Sequence, residues 1–408
     1  MFDGIRLQKR SKNEEASTAC TGTDRISGLP EGVLHHVLSF FPAHDAVRTC
    51  VLARRWRNLW MSAPGIRITG VKGWRDAGKF VAFVDRLLSL RRSSCAPVES
   101  CQMKFHARDF DFDYFLLAEK QHPLLCQHLV RLELACVDAN DSILDFSACP
   151  ALVVLRMKYC FLNAGKMFSA SLKQLSMFCC EFHRTNRTRI SLPSLVSLEL
   201  TSCYGRTPLL DCIPSLETTI VSFAHDSEDY CINDGTSDCG DDSCEGCRYY
   251  YGSDKYRNNS VFLKGLSEVT HMELSAYPDV FVLNRDLKWC PTFTKLKTLL
   301  LNEWSVAADH NALICFLQHS PALEKLTLQL YKASQHPVKT DGRYNPLELP
   351  FASHHLTVEI KCEEVNGTVH KILSSLSTYG IPLNHIKIQQ ANRSSGSGYV
   401  NLVCTGFS

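Results

Sequence analysis

No run of eighteen apolar residues occurs anywhere in this chain, so no segment reads as a membrane-spanning helix. The first 23 residues are mostly polar, with Phe2, Ile5 and Leu7 their only large apolar side chains after the initial methionine. They lack the continuous apolar core of a secretory signal, which gives the expectation that the protein works inside the cell. Catalytic signatures are missing as well: there is no G-x-S-x-G, Walker loop, G-x-G-x-x-G or H-E-x-x-H, and the Ser394–Gly398 stretch reads as a turn rather than a phosphate cradle. The sixteen histidines are scattered, and the adjacent pairs His35-His36 and His354-His355 diverge in direction on either a helix or a strand. Without a nucleophile, base and oxyanion constellation, the chain is not expected to be an enzyme.

A strong overall charge is lacking too, since the formal balance is only +2, but this small number hides an asymmetry. Residues 48–92 carry eleven Lys and Arg against Asp76 and Asp85 alone. Such a patch suits an acidic protein partner; without interleaved aromatics or a nucleic-acid-binding pattern, direct nucleic-acid contact is not expected. The Arg6, Lys9, Arg10 and Lys12 cluster hints at nuclear import, diluted by Glu14 and Glu15, within a segment of tail composition. Hydrophobic residues make up 45% of the 408, enough for a large core. The twenty cysteines, in a chain with no secretory leader and too long to need staples, are expected to be mostly reduced thiols.

The densest signal lies between Asp24 and Trp60. Pro30 suits the first turn of a helix, and Val33, Leu34, Val37, Leu38 and Phe41 then recur on one face. Pro42 is expected to end that helix and Asp45 to cap a second, whose apolar positions Val47, Val51, Leu52, Trp56, Leu59 and Trp60 again have helical spacing. A unit this short cannot bury enough surface alone, so leftover apolar stripe should meet a partner or the next domain. The string Asp24-Arg25-Ile26-Ser27, Leu29-Pro30, Val33-Leu34, Leu38-Ser39, Pro42, Asp45-Ala46-Val47, Thr49, Val51-Leu52, Arg55-Trp56 and Leu59-Trp60 resembles the F-box of plant F-box proteins. The resemblance implies a docking surface for a Skp-type adaptor at Leu29, Pro30, Val33, Leu34, Leu38, Val51 and Leu52, with Trp56 and Trp60 closing the small core. The Ala43-His44 pair departs from the basic residue that many plant members place before the Asp45 equivalent.

From residue 129 an L-x-x-L-x-L phrase recurs, beginning at Leu129, Leu152, Leu172, Leu195 and Leu216, then at Val269, Leu296 and Leu323, with weaker copies from His355 and Leu383. Alternating apolar positions suit a short strand with one buried face, and a strand this short is stable only when stacked on its neighbours. Cys160, Cys180 and Cys203 stand three residues beyond the last apolar position, and Pro150, Pro193, Pro214 and Pro321 precede phrases. The pattern resembles a leucine-rich-repeat array. Alternate side chains would line its concave face, and those proposed for target binding are Arg131, Glu133, Arg156, Lys158, Phe178, Glu199, His271, Glu273 and Lys325, together with Gln174, Asn302 and Gln329. Their mixed charge suits a protein or peptide target. Residues 76–90 read as an amphipathic helix joining the two parts, with Ala77, Phe80, Val81, Val84, Leu87 and Leu88 on one face.

The repeat phase breaks between Leu216 and Val269, across a segment with eight acids and no Lys or Arg from His225 to Glu245. Cys231, Cys239, Cys244 and Cys247 lie in it, and four sulfurs could hold zinc, although only the last two have C-x-x-C spacing; the alternative is a solvated acidic loop. The expected fold is therefore α/β: a tail (1–23), a helical F-box (24–60), a helical linker and first irregular repeat (61–128), a leucine-rich-repeat solenoid of parallel strands (129–393) with an insert at 224–260, and a C-terminal strand or tail (394–408). The resemblance to plant F-box/LRR proteins implies a non-catalytic substrate-recognition subunit of an SCF-type ubiquitin ligase, reaching cullin and RING subunits through the adaptor, in the nucleus or cytoplasm with the nucleus preferred. The acidic Cys insert and the phrase FLKGLSEVTHMEL resemble a grass meiotic F-box group. The competing reading is a non-ligase repeat scaffold, zinc-binding through the insert, with the N-terminal helices as its cap.

Overall fold

The computed structural model describes residues 26, 28–70, 77–94, 96–104, 127–184, 187–227, 260–277, 280, 282–306, 310–330, 356–391 and 399–403. The chain opens with α1 (Glu31–Leu38) and α2 (Ala43–Arg48), followed by single 3-10 turns at Thr49–Val51, Arg54–Arg57 and Leu59–Ser62. The helix boundaries differ from those expected. The first helix closes at Leu38, where the Ser39 hydroxyl donates to the His36 carbonyl, and Pro42 opens α2 instead of ending α1. Asp45 makes no cap; it lies in the first turn of α2, near the positive end of the helix dipole, because Pro42 already holds the cap position.

A mostly parallel-strand α/β body follows. Its main sheet runs in chain order through β1 (Gly65–Thr69), β2 (Ser100–Lys104), β3 (Arg131–Ala135), β5 (Val154–Lys158), β8 (Gln174–Phe178), β11 (Ser197–Gly205), β13 (Thr218–Ser227), β14 (His271–Ala276), β15 (Thr298–Asn302), β16 (Lys325–Leu330), β17 (Thr357–Cys362) and β18 (Ile386–Ala391). Among the described residues only β19 (Tyr399–Val403) pairs antiparallel, with β18. Short strands β4 (Asp138–Asn140), β6 (Phe161–Asn163) and β9 (Glu181–Phe182) form a parallel line joined to β11, and β7 (Lys166–Phe168), β10 (Arg189–Ser191) and β12 (Leu209–Leu210) form a separate parallel set. All the recurring phrases in the described residues fall on main-sheet strands. The sheet starts earlier than the phrases do, because β1 and β2 lie inside the segment read from sequence as linker and irregular repeat.

Strand register explains the spacing of the leucines. In one row, Ile66, Cys101, Leu132, Leu155, Leu175, Leu198, Thr219, Met272, Leu299, Leu326, Val358 and Ile386 are successive partners across the sheet. A second row two residues on is apolar throughout, from Ile68 to Ile388, and both rows face the core. Neither row could bury itself from one strand, since each side chain finds its neighbours on the adjoining strands.

The turns leaving these strands also repeat. Cys136, Tyr159, Cys179 and Ser202 all have φ near +50° and occupy equivalent places, although none is glycine. A left-handed residue costs about 1–2 kcal/mol there, offset by hydrogen bonds from Cys136, Tyr159 and Cys179 N–H to Lys158, Phe178 and Thr201 carbonyls on the next strand (2.9 Å each). The following residues Cys160, Cys180 and Cys203 turn inward, their thiols within 3.4–3.8 Å of strand carbonyls. Twelve cysteines among the described residues are free thiols.

Helix α3 (Ala77–Ser94) buries Phe80, Val84, Leu87 and Leu88, at the i, i+4, i+7, i+8 spacing of an amphipathic helix. Shorter helices α4 (Asp141–Leu144), α5 (Asn284–Lys288) and α6 (Asn311–Gln318) follow. Helix α7 (Gly367–Thr378) is capped by the Asn366 side chain, which accepts from Thr368 N (3.0 Å) and Val369 N (3.2 Å). No helix among the described residues is long and apolar enough to cross a membrane.

Candidate functional site

The N-terminal helices sort their apolar residues into two sets. On α1, Leu34 and Leu38 are each only 1% exposed, and with Ala43, Ala46, Trp56, Leu59 and Trp60 they form a small core. The structure thus moves Leu34 and Leu38 from the expected docking surface to the interior, where four-residue spacing puts both under the same face. Leu29, Val33, Val37, Phe40 and Phe41 remain exposed, as does Pro30. Val51 and Leu52 project furthest, at 82% and 67% exposure. Arg55 Nη2 donates to the Leu29 carbonyl at 2.7 Å, which draws the segment before α1 toward the turn carrying Val51 and Leu52. The result is an apolar stripe beside a basic neighbourhood, with the Arg67 guanidinium 5.4 Å from the Phe40 ring centre. Sequence reasoning overlooked Phe40 and gave Arg55, one of the residues carrying the resemblance, no structural role.

Helix α3 fixes this unit to the sheet. Buried Arg91 donates through Nη1 to Trp60 O (2.7 Å) and through Nη2 to Ala63 O, and Ser94 Oγ donates to Met61 O (3.0 Å). Burial pulls the Arg91 pKa down to about 10, with nearby Cys101 acting in the opposite direction, so the group still carries its charge at neutral pH. Such a buried cation is tolerated because charge-assisted hydrogen bonds to carbonyls replace water.

On the main sheet, the side chains opposite the two core rows share one outer face. Arg131, Glu133, Arg156, Lys158, Phe178, Glu199, His271, Glu273 and Lys325 all stand on it, as alternation along each strand requires. Several are paired laterally. Glu133 accepts from Gln102 Nε2 (2.8 Å) and lies 3.6 Å from Arg156 and 4.0 Å from Arg131; Glu199 accepts from Ser176 Oγ (2.8 Å); Lys325 meets Glu359 at 3.0 Å; and His271 Nδ1 is 2.7 Å from Thr298 Oγ1. Asn302 is tied back to β14, donating to Ala276 O (2.7 Å) and accepting from Ala276 N (3.2 Å), so it closes a strand end. An unevenly charged end remains: Arg67, Lys104, Arg131, Arg156 and Lys158 face Glu133, next to the exposed edge-to-face pair Tyr159 and Phe178 (centroids 5.6 Å). Cys231, Cys239, Cys244 and Cys247, and most of the acidic insert, lie outside the described residues.

Residues 26–65 match the F-box domain family. The chain is 30% identical over 216 residues to an FBD-associated F-box protein of Arabidopsis thaliana, covering 43% of this chain and 50% of that protein. An F-box/FBD/LRR-repeat protein of the same plant is 36% identical over 91 residues, covering 22% and 20%. The meiotic F-box protein MOF of Oryza sativa subsp. japonica is 26% identical over 346 residues, covering 75% of this chain and 71% of that protein. This chain spans half the length of the first of these relatives and less of the second. Its N-terminal helical unit is an F-box domain, and its similarity is to plant F-box/FBD/LRR-repeat proteins.

Proposed function

We propose that this chain is a non-catalytic substrate-recognition subunit of an SCF-type ubiquitin ligase, and that its parallel-strand body is a leucine-rich-repeat solenoid. The observation that carries the reading is the apolar stripe of Leu29, Pro30, Val33, Val51 and Leu52, left in solvent on a unit that matches the F-box family. An exposed stripe of this kind costs solubility unless a partner covers it. A Skp-type adaptor is the partner that F-box domains imply, and cullin and RING subunits would be reached through it. The surplus of Lys and Arg across residues 48–92 would complement an acidic adaptor surface.

The target would lie on the outer sheet face, held by Arg131, Glu133, Arg156, Lys158, Phe178, Glu199, His271, Glu273 and Lys325. At its basic end, the exposed Tyr159 and Phe178 rings favour a segment with acidic and apolar side chains. The chain would contribute proximity alone, raising the effective concentration of a target lysine near the activated ubiquitin. Work in the nucleus, with the cytoplasm second, is part of the same proposal, and the name of the rice relative makes meiotic cells a place to look.

The test is co-purification of the full chain with a Skp-type adaptor, repeated with Leu29→Ala and Pro30→Ala together. Retention of the adaptor by the parent chain and its loss in the double variant support the proposal. A parent chain that retains no adaptor overturns it.

A further inference from the structure

We propose that Cys290, Cys315 and His319 form a zinc-binding site, separate from the acidic insert. Their ligand atoms all lie within 4.8 Å of one another, although the residues come from different elements: Cys290 follows α5, Cys315 lies within α6, and His319 ends α6. Around a tetrahedral zinc, sulfur and nitrogen ligands sit about 3.5–3.8 Å apart, so each pair would need to contract by about 1.3 Å at most. Cys315 and His319 are four residues apart, the spacing that points two side chains from one helix face at a single ion. The Cys315 Sγ to His319 Nδ1 distance is 4.0 Å.

The scaffold holding these groups is already in place. Phe293 N donates to His319 O (2.8 Å), pinning the Cys290 loop to the end of α6. The Cys315 thiol points toward Leu287 O at 3.6 Å, and His319 Nδ1 lies 2.9 Å from Cys315 O, a contact that restricts the ring in the metal-free site and that ligation through Nδ1 would exchange for the metal. Two sulfurs and one imidazole make a soft donor set that selects zinc over magnesium or calcium. Three protein ligands leave the fourth coordination position to water or an exchangeable group. Hydrogen bonding to Cys315, then burial, pushes the Cys290 pKa up, and the hydrogen bond to the Cys315 side chain raises that of His319. Zinc is bound by the two sulfurs as thiolates, which balance the Zn²⁺ charge, so affinity should fall on acidification.

The experiment uses the full chain with Cys231, Cys239, Cys244 and Cys247 changed to Ser, which removes the insert as a competing source of metal. After chelator-free purification with ZnCl₂, elemental analysis should give about one zinc per chain, and Co²⁺ loading should give a thiolate-to-metal charge-transfer band. Adding Cys290→Ser or His319→Gln should abolish both signals, and a chelator should lower Tm in the parent background but not in these variants. The inference is overturned by absence of zinc and of the cobalt band from the parent background, by zinc content that survives both substitutions, or by a peptide map that shows Cys290 and Cys315 joined in a disulfide. Absence of the cobalt band from the parent background overturns the inference even if the variants fail to fold.

Discussion

Changing Val51 and Leu52 together to alanine should weaken adaptor binding while leaving the fold intact. At 82% and 67% exposure the two residues stand mostly in solvent, so the free protein should lose no more than about 0.5 kcal/mol of stability. In a complex that covers them, fully burying an aliphatic side chain is worth about 1.5–3 kcal/mol, at roughly 25 cal/mol per Å². Truncation to alanine removes the part beyond Cβ, which scaled by these exposures comes to about 1–1.5 kcal/mol per residue. The pair then accounts for about 2–3 kcal/mol, or roughly 30- to 150-fold in Kd. Leu34→Ala is the contrasting variant: at 1% exposure its cost falls on folding, about 2–5 kcal/mol, through the cavity it leaves. Isothermal titration with purified Skp-type adaptor, alongside circular-dichroism melts, separates the two effects. Adaptor affinity within about twofold of the parent for the Val51/Leu52 variant would refute the assignment of this stripe as the docking surface.

Other positions make independent tests. Thr219 is the one polar member of an otherwise apolar core row, is 1% exposed, and its Oγ1 has no hydrogen-bond partner; Thr219→Val should therefore stabilise the chain by about 1–2 kcal/mol, read as a higher midpoint in urea, and a lower midpoint would contradict the register described above. Gly205 has φ +83° and a Cβ there would stand 2.0 Å from the Phe182 carbonyl oxygen, so Gly205→Ala should cost about 3 kcal/mol or more, visible as a large loss of Tm or of soluble yield. Buried Asp286 accepts through Oδ1 from Phe262 N (2.7 Å), Leu263 N (2.8 Å) and Ser260 Oγ; Asp286→Ala strands these donors and should destabilise by about 3–5 kcal/mol, with hydrogen exchange rising first at Phe262 and Leu263.

What could be read from the chain and what could not divide by the range of the interaction. The F-box string and the recurring leucine phrase are local patterns, and a period of two in LVVLRM or LKTLLL is enough to mark a strand with one buried face. Strands β1 and β2 escaped notice because GIRIT and SCQMK each offer at most two alternating apolar positions, and only the pairing of β1 with β2 and of β2 with β3 makes them sheet. On α1 the periodicity marked the apolar face but not its two sides: Leu34 and Leu38 turn in and Val33 and Val37 turn out, a choice made by Trp56, Leu59 and Trp60 arriving from later in the chain. The left-handed turns at Cys136, Tyr159, Cys179 and Ser202 carry no glycine to announce them. Cys290, Cys315 and His319 meet only because a loop packs on the end of α6; in sequence they are three unremarked members of a large set of cysteines and histidines.

The same packing bears on how an adaptor-bound subunit could act through proximity. One cluster of buried side chains extends without a break from Leu34 in the F-box to Ile388 near the end of the sheet, and α3 lies in its path. Arg91 and Ser94 tie that helix to the carbonyls of Trp60, Met61 and Ala63, while Phe80, Val84, Leu87 and Leu88 pack it into the same core. A flexible tether would spread a bound target over a large volume and dilute the effective concentration that proximity supplies. A joint built from a buried guanidinium and a shared apolar core instead gives the Val51–Leu52 stripe and the outer sheet face a fixed separation, so the arc of target lysines presented to a ligase would be set by the fold of this chain rather than by diffusion of a linker.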